Sequence, residues 1–148
     1  MNLLKLPANL IRRAKGFRPL PHLARVEVRK DKDGLPSEDP GVWNCVKATV
    51  EWIGRAQDKS LSSDGGVARD FSLLTGWNTS YPETTGYIVP TLCDYAKRTG
   101  NQSYRERARR MLDWLVSIQF PEGGFQGSVI GAQPVVPVTF NTGQILLG

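Results

Sequence analysis

Beyond residue 41, apolar side chains recur along this chain at helical spacing. Trp43, Val46, Val50 and Ile53 fall on one stripe, with Cys45, Ala48 and Trp52 beside it. Intervals of three and four residues mark one face of an α-helix. The pattern predicts a first helix from Asp39-Pro40-Gly41 to about Gln57, opened by a capping carboxylate and a proline at the first helical position. Lys59 to Gly66 lacks the periodicity and reads as a loop. A second helix is expected over residues 84–98, with Ile88, Leu92 and Tyr95 on one face and Gly100 as its C-terminal cap. Pro90 lies inside it and should kink it or delay its start. Ser103-Tyr104-Arg105-Glu106 matches a capping box. The third helix it opens runs to about Gln119, with Ala108, Met111, Leu115 and Ile118 on its apolar side. Arg105, Arg107, Arg109 and Arg110 read as a solvated outer face. Phe140 opens a fourth helix.

The pattern is stated twice. Trp52-Ile53, Gln57 and Asp64-Gly65-Gly66-Val67 return as Trp114-Leu115, Gln119 and Glu122-Gly123-Gly124-Phe125. The Trp and Gln pairs stand 62 residues apart and the glycines 58, so the first loop is four residues longer. Thr85-Gly86-Tyr87-Ile88 returns as Thr142-Gly143-Gln144-Ile145. Such units cannot bury their apolar faces alone. The first and third helices keep a charged side, whereas the second and fourth are more apolar and begin at Thr-Gly. That contrast is expected of an outer and an inner ring. The expected class is all-α, with repeat one at about 42–100 and repeat two at about 101–148. Residues 1–41 form a basic, Pro/Gly-rich arm. Two hairpins would leave large apolar inner faces uncovered. The chain therefore reads as the N-terminal part of a longer protein, its partner being the missing C-terminal repeats.

Charge changes the picture only at the N-terminus. The net charge over 148 residues is +5, yet residues 1–32 hold nine Lys or Arg against Glu27 and Asp31. Residues 8–15 read as a short basic helix and 16–41 as an extended arm. A basic arm can touch a membrane surface, but it lacks the interleaved aromatics of a nucleic-acid platform, so no nucleic-acid partner is expected. Cys45 and Cys93 sit on apolar stripes without a CxxC spacing or a histidine partner, and are expected as buried free thiols. No leader pattern and no run of ~20 apolar residues is present, which makes the cytoplasm the expected location. The single histidine, His22, has no ligand cluster around it, so neither a metal nor a cofactor is expected.

Trp-aliphatic-x-x-x-Gln followed by Gly-x-aromatic resembles the repeat of the squalene cyclase and protein prenyltransferase superfamily. Trp114, Leu115, Gln119, Gly123 and Phe125 match it well. Trp52, Ile53, Gln57 and Gly65 match with Val67 in place of the aromatic. The resemblance covers about residues 42–148 and implies an α/α toroid, here incomplete. The cyclases' Asp-x-Asp-Asp motif and the prenyltransferases' Asp/Cys/His zinc site have no counterpart in the chain. The same barrel of hairpins is similar to six-hairpin glycosidases, uronate epimerases, polysaccharide lyases and toroid proteins of bacterial surface-polysaccharide synthesis. Their sites line the funnel mouth with carboxylates and aromatics.

The segment from Gly76 to Tyr87 suits such a mouth. Glu83 is the candidate general acid or base, set in the first turn of an inner helix where the dipole also favours a carboxylate. Asp64 is a candidate catalytic partner, although an acid repeated at Glu122 points equally to holding loop amides. Trp77, Tyr81 and Tyr87 offer faces that stack on sugar rings or enclose an isoprenoid. Asn141 and Gln144 extend the rim from the second repeat. Gln57 and Gln119 read as structural ties between a helix end and the next helix start. The glycine pairs lack the Lys-Ser/Thr of a phosphate loop. The expected function is that of a carbohydrate-active toroid of polysaccharide metabolism, resembling a hydrolase, lyase or epimerase if catalytic. Isoprenoid handling and a non-catalytic binding module are the alternatives.

Overall fold

The structure is a computed structural model that describes residues 20–148. The chain divides into two units, Met1–Ser37 and Glu38–Gly148. The first unit's described part is one helix, α1 (His22–Asp33). The second holds α2 (Val42–Asp58), a hairpin of β1 (Phe71–Ser72) and β2 (Gly76–Trp77), α3 (Pro82–Thr99), α4 (Gln102–Ile118) and α5 (Thr139–Leu146). The described residues are thus mostly helical.

Helix α1 corrects the expectation of an extended arm over 16–41. The Pro and Gly residues that suggested extension flank residues 22–33 and do not interrupt them. Pro21 stands before the first turn, and Gly34 ends the last one with φ of 79°. Lys30 pairs with Glu27 at 2.8 Å, three residues back, and Lys30 and Lys32 suit the negative end of the helix dipole. The basic helix expected at 8–15 lies outside the described residues.

Two helix starts also differ from expectation. Asp39 does not cap α2. Its carboxylate accepts the Gly41 N–H at 2.8 Å in a tight turn, and Gly41, with φ of 79°, turns the chain into a helix that begins at Val42. At α4 the cap is Asn101, whose Oδ1 accepts the Ser103 N–H at 3.1 Å. Gly100, in the left-handed conformation expected of it, delivers the chain to Asn101 first, so Ser103 lies inside the helix. Pro82 opens α3 at the position that needs no N–H donor, two residues earlier than predicted. Pro90 is accommodated inside α3 on an exposed position.

Only the C-terminal half of the α2 stripe is buried. Val50, Ile53 and Ala56 join Val67, Ala68, Val89, Leu92, Ala108 and Met111 in one core cluster. Trp114, Leu115, Phe125 and Ile145 form a second. Cys45 and Cys93 are free but exposed, contrary to expectation. The buried sectors of their helices run through Val50–Ile53–Ala56 and Val89–Leu92–Ala96, which the cysteines flank.

The repeat is a repeat of backbone hydrogen bonds. After each Gly-Gly loop, the Val67 and Phe125 N–H groups donate to the hydroxyls of Thr85 and Thr142, both at 3.0 Å. The Val67 and Phe125 carbonyls accept the N–H groups of Tyr81 and Val138, again both at 3.0 Å. Single bridges follow at Ala68–Ser80 and Gln126–Pro137. Each Thr-Gly therefore clamps the start of α3 or α5 to its own loop. α3 and α5 then meet closely, because a Cβ on Gly86 would stand 2.5 Å from the Ile145 Cα.

α2 and α4 meet at Gln57, which is buried. Its amide nitrogen donates to the Gly65 carbonyl at 2.9 Å and the Arg107 carbonyl at 3.1 Å. Its oxygen accepts from the Arg107 guanidinium at 3.1 Å. Gln57 is thus the expected tie, with partners on the loop and on α4. Gln119, its counterpart, is exposed. Arg107 is not the solvated residue that was expected: it forks onto Asp58 at 2.7 and 2.6 Å and reaches the Gly54 carbonyl at 3.3 Å. Arg105 and Arg109 do lie on the solvated side.

The Arg107 hydrogen bond holds the Asp58 carboxyl below its usual range. A depressed carboxylate contributes stability above its unfolded pKa, near ~3.9, and loses it as pH falls through the folded value. Asp58 is half-exposed, which limits the pair to about 1 kcal/mol. Asp58→Asn is expected to lower the unfolding free energy read from urea denaturation at neutral pH by about 1 kcal/mol. The gap from the unmodified chain should close below pH ~4; a gap independent of pH would contradict the assignment.

Candidate functional site

The first turns of α3 and α5 bring three predicted site residues together from both repeats. Tyr81 immediately precedes α3, and Glu83 lies in its first turn, where free amides and the dipole favour a carboxylate. The Tyr81 hydroxyl donates to Glu83 Oε2 at 2.6 Å. Asn141, buried in the first turn of α5, donates its Nδ2 to the same hydroxyl at 3.4 Å. The clamps described above set this geometry. The Tyr81 amide is fixed to Val67 and the Val138 amide to Phe125, so the two helix starts are held by equivalent bonds.

The electrostatics follow from the hydrogen bonds. The Glu83 carboxylate raises the Tyr81 pKa, with burial adding to the rise. Asn141 and the nearby Arg69 guanidinium act in the opposite direction and do not reverse it. Tyr81 is therefore a neutral donor at physiological pH, pointed at one carboxylate oxygen. Tyr87 is exposed one helical turn after Glu83, on the same side of α3. Gln144 is half-buried one turn after Asn141 on α5. These helix starts thus present a carboxylate, a phenol, the Gln144 amide and an open aromatic face, with the buried Asn141 amide held on the phenol.

Asp64 and Trp77 are placed elsewhere. Asp64 Oδ1 accepts the Gly66 N–H at 3.0 Å and the Ser80 hydroxyl at 2.6 Å. Ser80 is fully buried and in turn meets Ser60 Oγ at 2.7 Å and Ser62 Oγ at 3.0 Å. Asp64 therefore closes the loop through a hydroxyl network. Its counterpart Glu122 is exposed. Trp77 sits in an aromatic group with Trp52 at 5.1 Å and Phe71 edge-on at 5.0 Å. The β1–β2 hairpin puts it there by pairing Phe71 with Trp77.

Sequence reasoning missed Arg69. The Ala68–Ser80 bridge, extended by the Arg69 N–H to Thr79 carbonyl bond at 3.0 Å, carries it towards Tyr81. A one-residue bridge leaves no periodic signal. Arg69 pairs with Asp70 at 3.2 Å, and the Asn78 amide bonds to Asp70 across the same loop. Among the described residues, no group of three or more His, Cys, Asp or Glu is gathered as for a metal. No described helix is long and apolar enough to cross a membrane. The chain matches no family model, no curated protein and no solved structure.

Because Glu83 is the largest cause of the Tyr81 shift, Glu83→Gln should lower the pH at which Tyr81 ionises. The readout is ultraviolet phenolate absorbance, with Tyr81→Phe identifying the signal. A raised phenol pKa adds stability that is present at neutral pH and lost as pH climbs through and above ~10. An unchanged titration in Glu83→Gln would show that the two groups do not meet in solution.

Proposed function

We propose that residues 38–148 are part of an α/α toroid whose rim, at the starts of α3 and α5, binds carbohydrate. The observation that carries this reading is the Tyr81 hydroxyl set between Glu83 of its own repeat and Asn141 of the other. A sugar presents hydroxyls that donate and accept at once. Glu83 would accept from such a hydroxyl, and the Gln144 amide would do both, while the buried Asn141 holds the Tyr81 hydroxyl in place. Tyr87 supplies an apolar face one turn from Glu83, suited to a pyranose ring. An isoprenoid chain gains nothing from this polar set and would have to desolvate it.

The carboxylate arrangement favours binding over hydrolysis. A glycosidase needs two carboxylates separated by ~5–10 Å across the scissile bond. Asp64 is engaged by a loop amide and Ser80, which leaves Glu83 as the rim's own carboxylate. The reading is therefore a carbohydrate-recognising segment of a protein of polysaccharide metabolism, with Glu83, Tyr81, Tyr87 and Gln144 as the contacting residues and Asn141 as the residue that positions Tyr81.

The test is an array of neutral and uronic-acid oligosaccharides, with farnesyl diphosphate titrated in parallel. At least one oligosaccharide class should bind the full chain. Glu83→Gln and Tyr87→Ala should each weaken that binding by about tenfold or more with unchanged helicity, as expected for a lost charged hydrogen bond or stacking face. Binding of the prenyl diphosphate without any oligosaccharide would sink the proposal.

A further inference from the structure

The joint between the two repeats is present once as a formed contact and twice as an unfilled half. In the formed joint the Trp114 ring occupies the space that a side chain on Gly66 would need, and the indole is 6% exposed. Gly65 approaches the Arg110 carbonyl, 3.3 Å from where its Cβ would stand. The Arg107 guanidinium lies over Gly54, 3.4 Å from the same construction there. Val50 is 1% exposed and shares the core with Met111 of α4.

The repeat-related positions have no counterpart of this contact and are partly exposed. Trp52 corresponds to Trp114 and is 43% exposed. Leu112 and Val116 correspond to Val50 and Gly54 and are 40% and 74% exposed. Gly123 corresponds to Gly65, and a Cβ there would have no atom within 4 Å; Gly124 corresponds to Gly66, and a Cβ there would meet only its own repeat, Thr142 Oγ1 at 3.4 Å and Pro137 Cβ at 3.8 Å. Trp77 does not fill the gap over Trp52. It approaches from its own repeat's loop, as Ile130 of the second loop packs against the Trp114 cluster.

The polar partners change together. At the formed joint Asp58 faces Arg107 and Arg110. At the corresponding places the chain carries Phe120 in place of Asp58, and Cys45 and Ala48 in place of the two arginines. Neither unfilled half keeps a charge that would lack its partner across the joint. Both sides are apolar, so the unfilled halves match each other as the charged halves do.

We propose that they meet in a second copy of this chain: the α2 face of one copy docks on the α4 face of another, as α4 docks on α2 within the chain. Trp52 then lies against the open side of Gly123 of the second copy, and Leu112 and Val116 are covered by its partner's α2. The contact is head-to-tail, because two different faces meet, and it continues the internal joint between copies. It does not depend on what the rim binds.

Sedimentation velocity of the full chain, from low to high micromolar concentration, tests this. The unmodified chain should sediment faster as concentration rises. Ala48→Glu and Val116→Glu alter exposed helical positions on opposite halves, so each should keep its helicity and sediment as a monomer. An equimolar mixture of the two retains one intact face of each kind and should form 1:1 dimers and nothing larger. An unmodified chain that stays monomeric, as it would if another protein covered these faces, overturns the proposal. So do single variants that still associate, or a mixture that does not.

Discussion

Trp114 can rest on the first loop only because position 66 has no side chain. That one steric allowance brings α4 against the end of α2, and the rest of the joint follows. With the indole seated, Arg107 comes within reach of Asp58, Gln57 and the Gly54 carbonyl. Gln57 spends both ends of its amide across the same seam. A buried amide with satisfied donor and acceptor fixes the spacing of two helices in a way that apolar contact alone does not. The apolar cluster of Val50, Ile53, Ala108 and Met111 supplies the bulk of the burial beneath it.

The second constraint is the paired threonine clamp. Thr85 and Thr142 each use a side-chain hydroxyl to take up the backbone N–H that follows a Gly-Gly loop. Thr85 also donates back to the Tyr81 carbonyl at 2.8 Å, so one hydroxyl serves loop and helix together. Because each clamp fixes a helix start, residues just before and after that start inherit a defined position. Tyr81, Glu83 and Asn141 are such residues. The position of this group is therefore a consequence of how the helix starts are held, and its Asn141–Tyr81 bond crosses the two repeats because the two clamped helices meet closely at Gly86 and Ile145.

Much of this was legible in the sequence, and the misses have physical causes. Helix periodicity and Gly100 marked the main helices closely, and the recurrence of Trp, Gln, Gly-Gly and Thr-Gly marked the units. Gln57 was readable as a tie because an amide near a helix end can bond both ways. Arg107 was not, since a guanidinium on a charged face looks solvated until its partner Asp58, 49 residues away, is known. The caps at Asp39 and Ser103 were displaced by Gly41 and Asn101, a local competition that composition does not resolve. Strands of two residues lie below any alternation signal, so the hairpin that carries Trp77 to Trp52 was hidden. Glu83, Tyr81 and Asn141, singled out in the sequence, are joined by hydrogen bonds through the Tyr81 hydroxyl. Asp64 was drawn away by Ser80, a buried hydroxyl with no sequence mark of its own.

The seating of Trp114 on Gly66 is best tested by a double-mutant cycle in urea denaturation. Gly66→Ala should destabilise the chain when Trp114 is present, because the added methyl and the indole compete for one space. With Trp114→Ala in the background, the same substitution should cost little, leaving a coupling of about 1–3 kcal/mol between the two sites. Additive effects, within about 0.5 kcal/mol, would mean that the ring does not rest there.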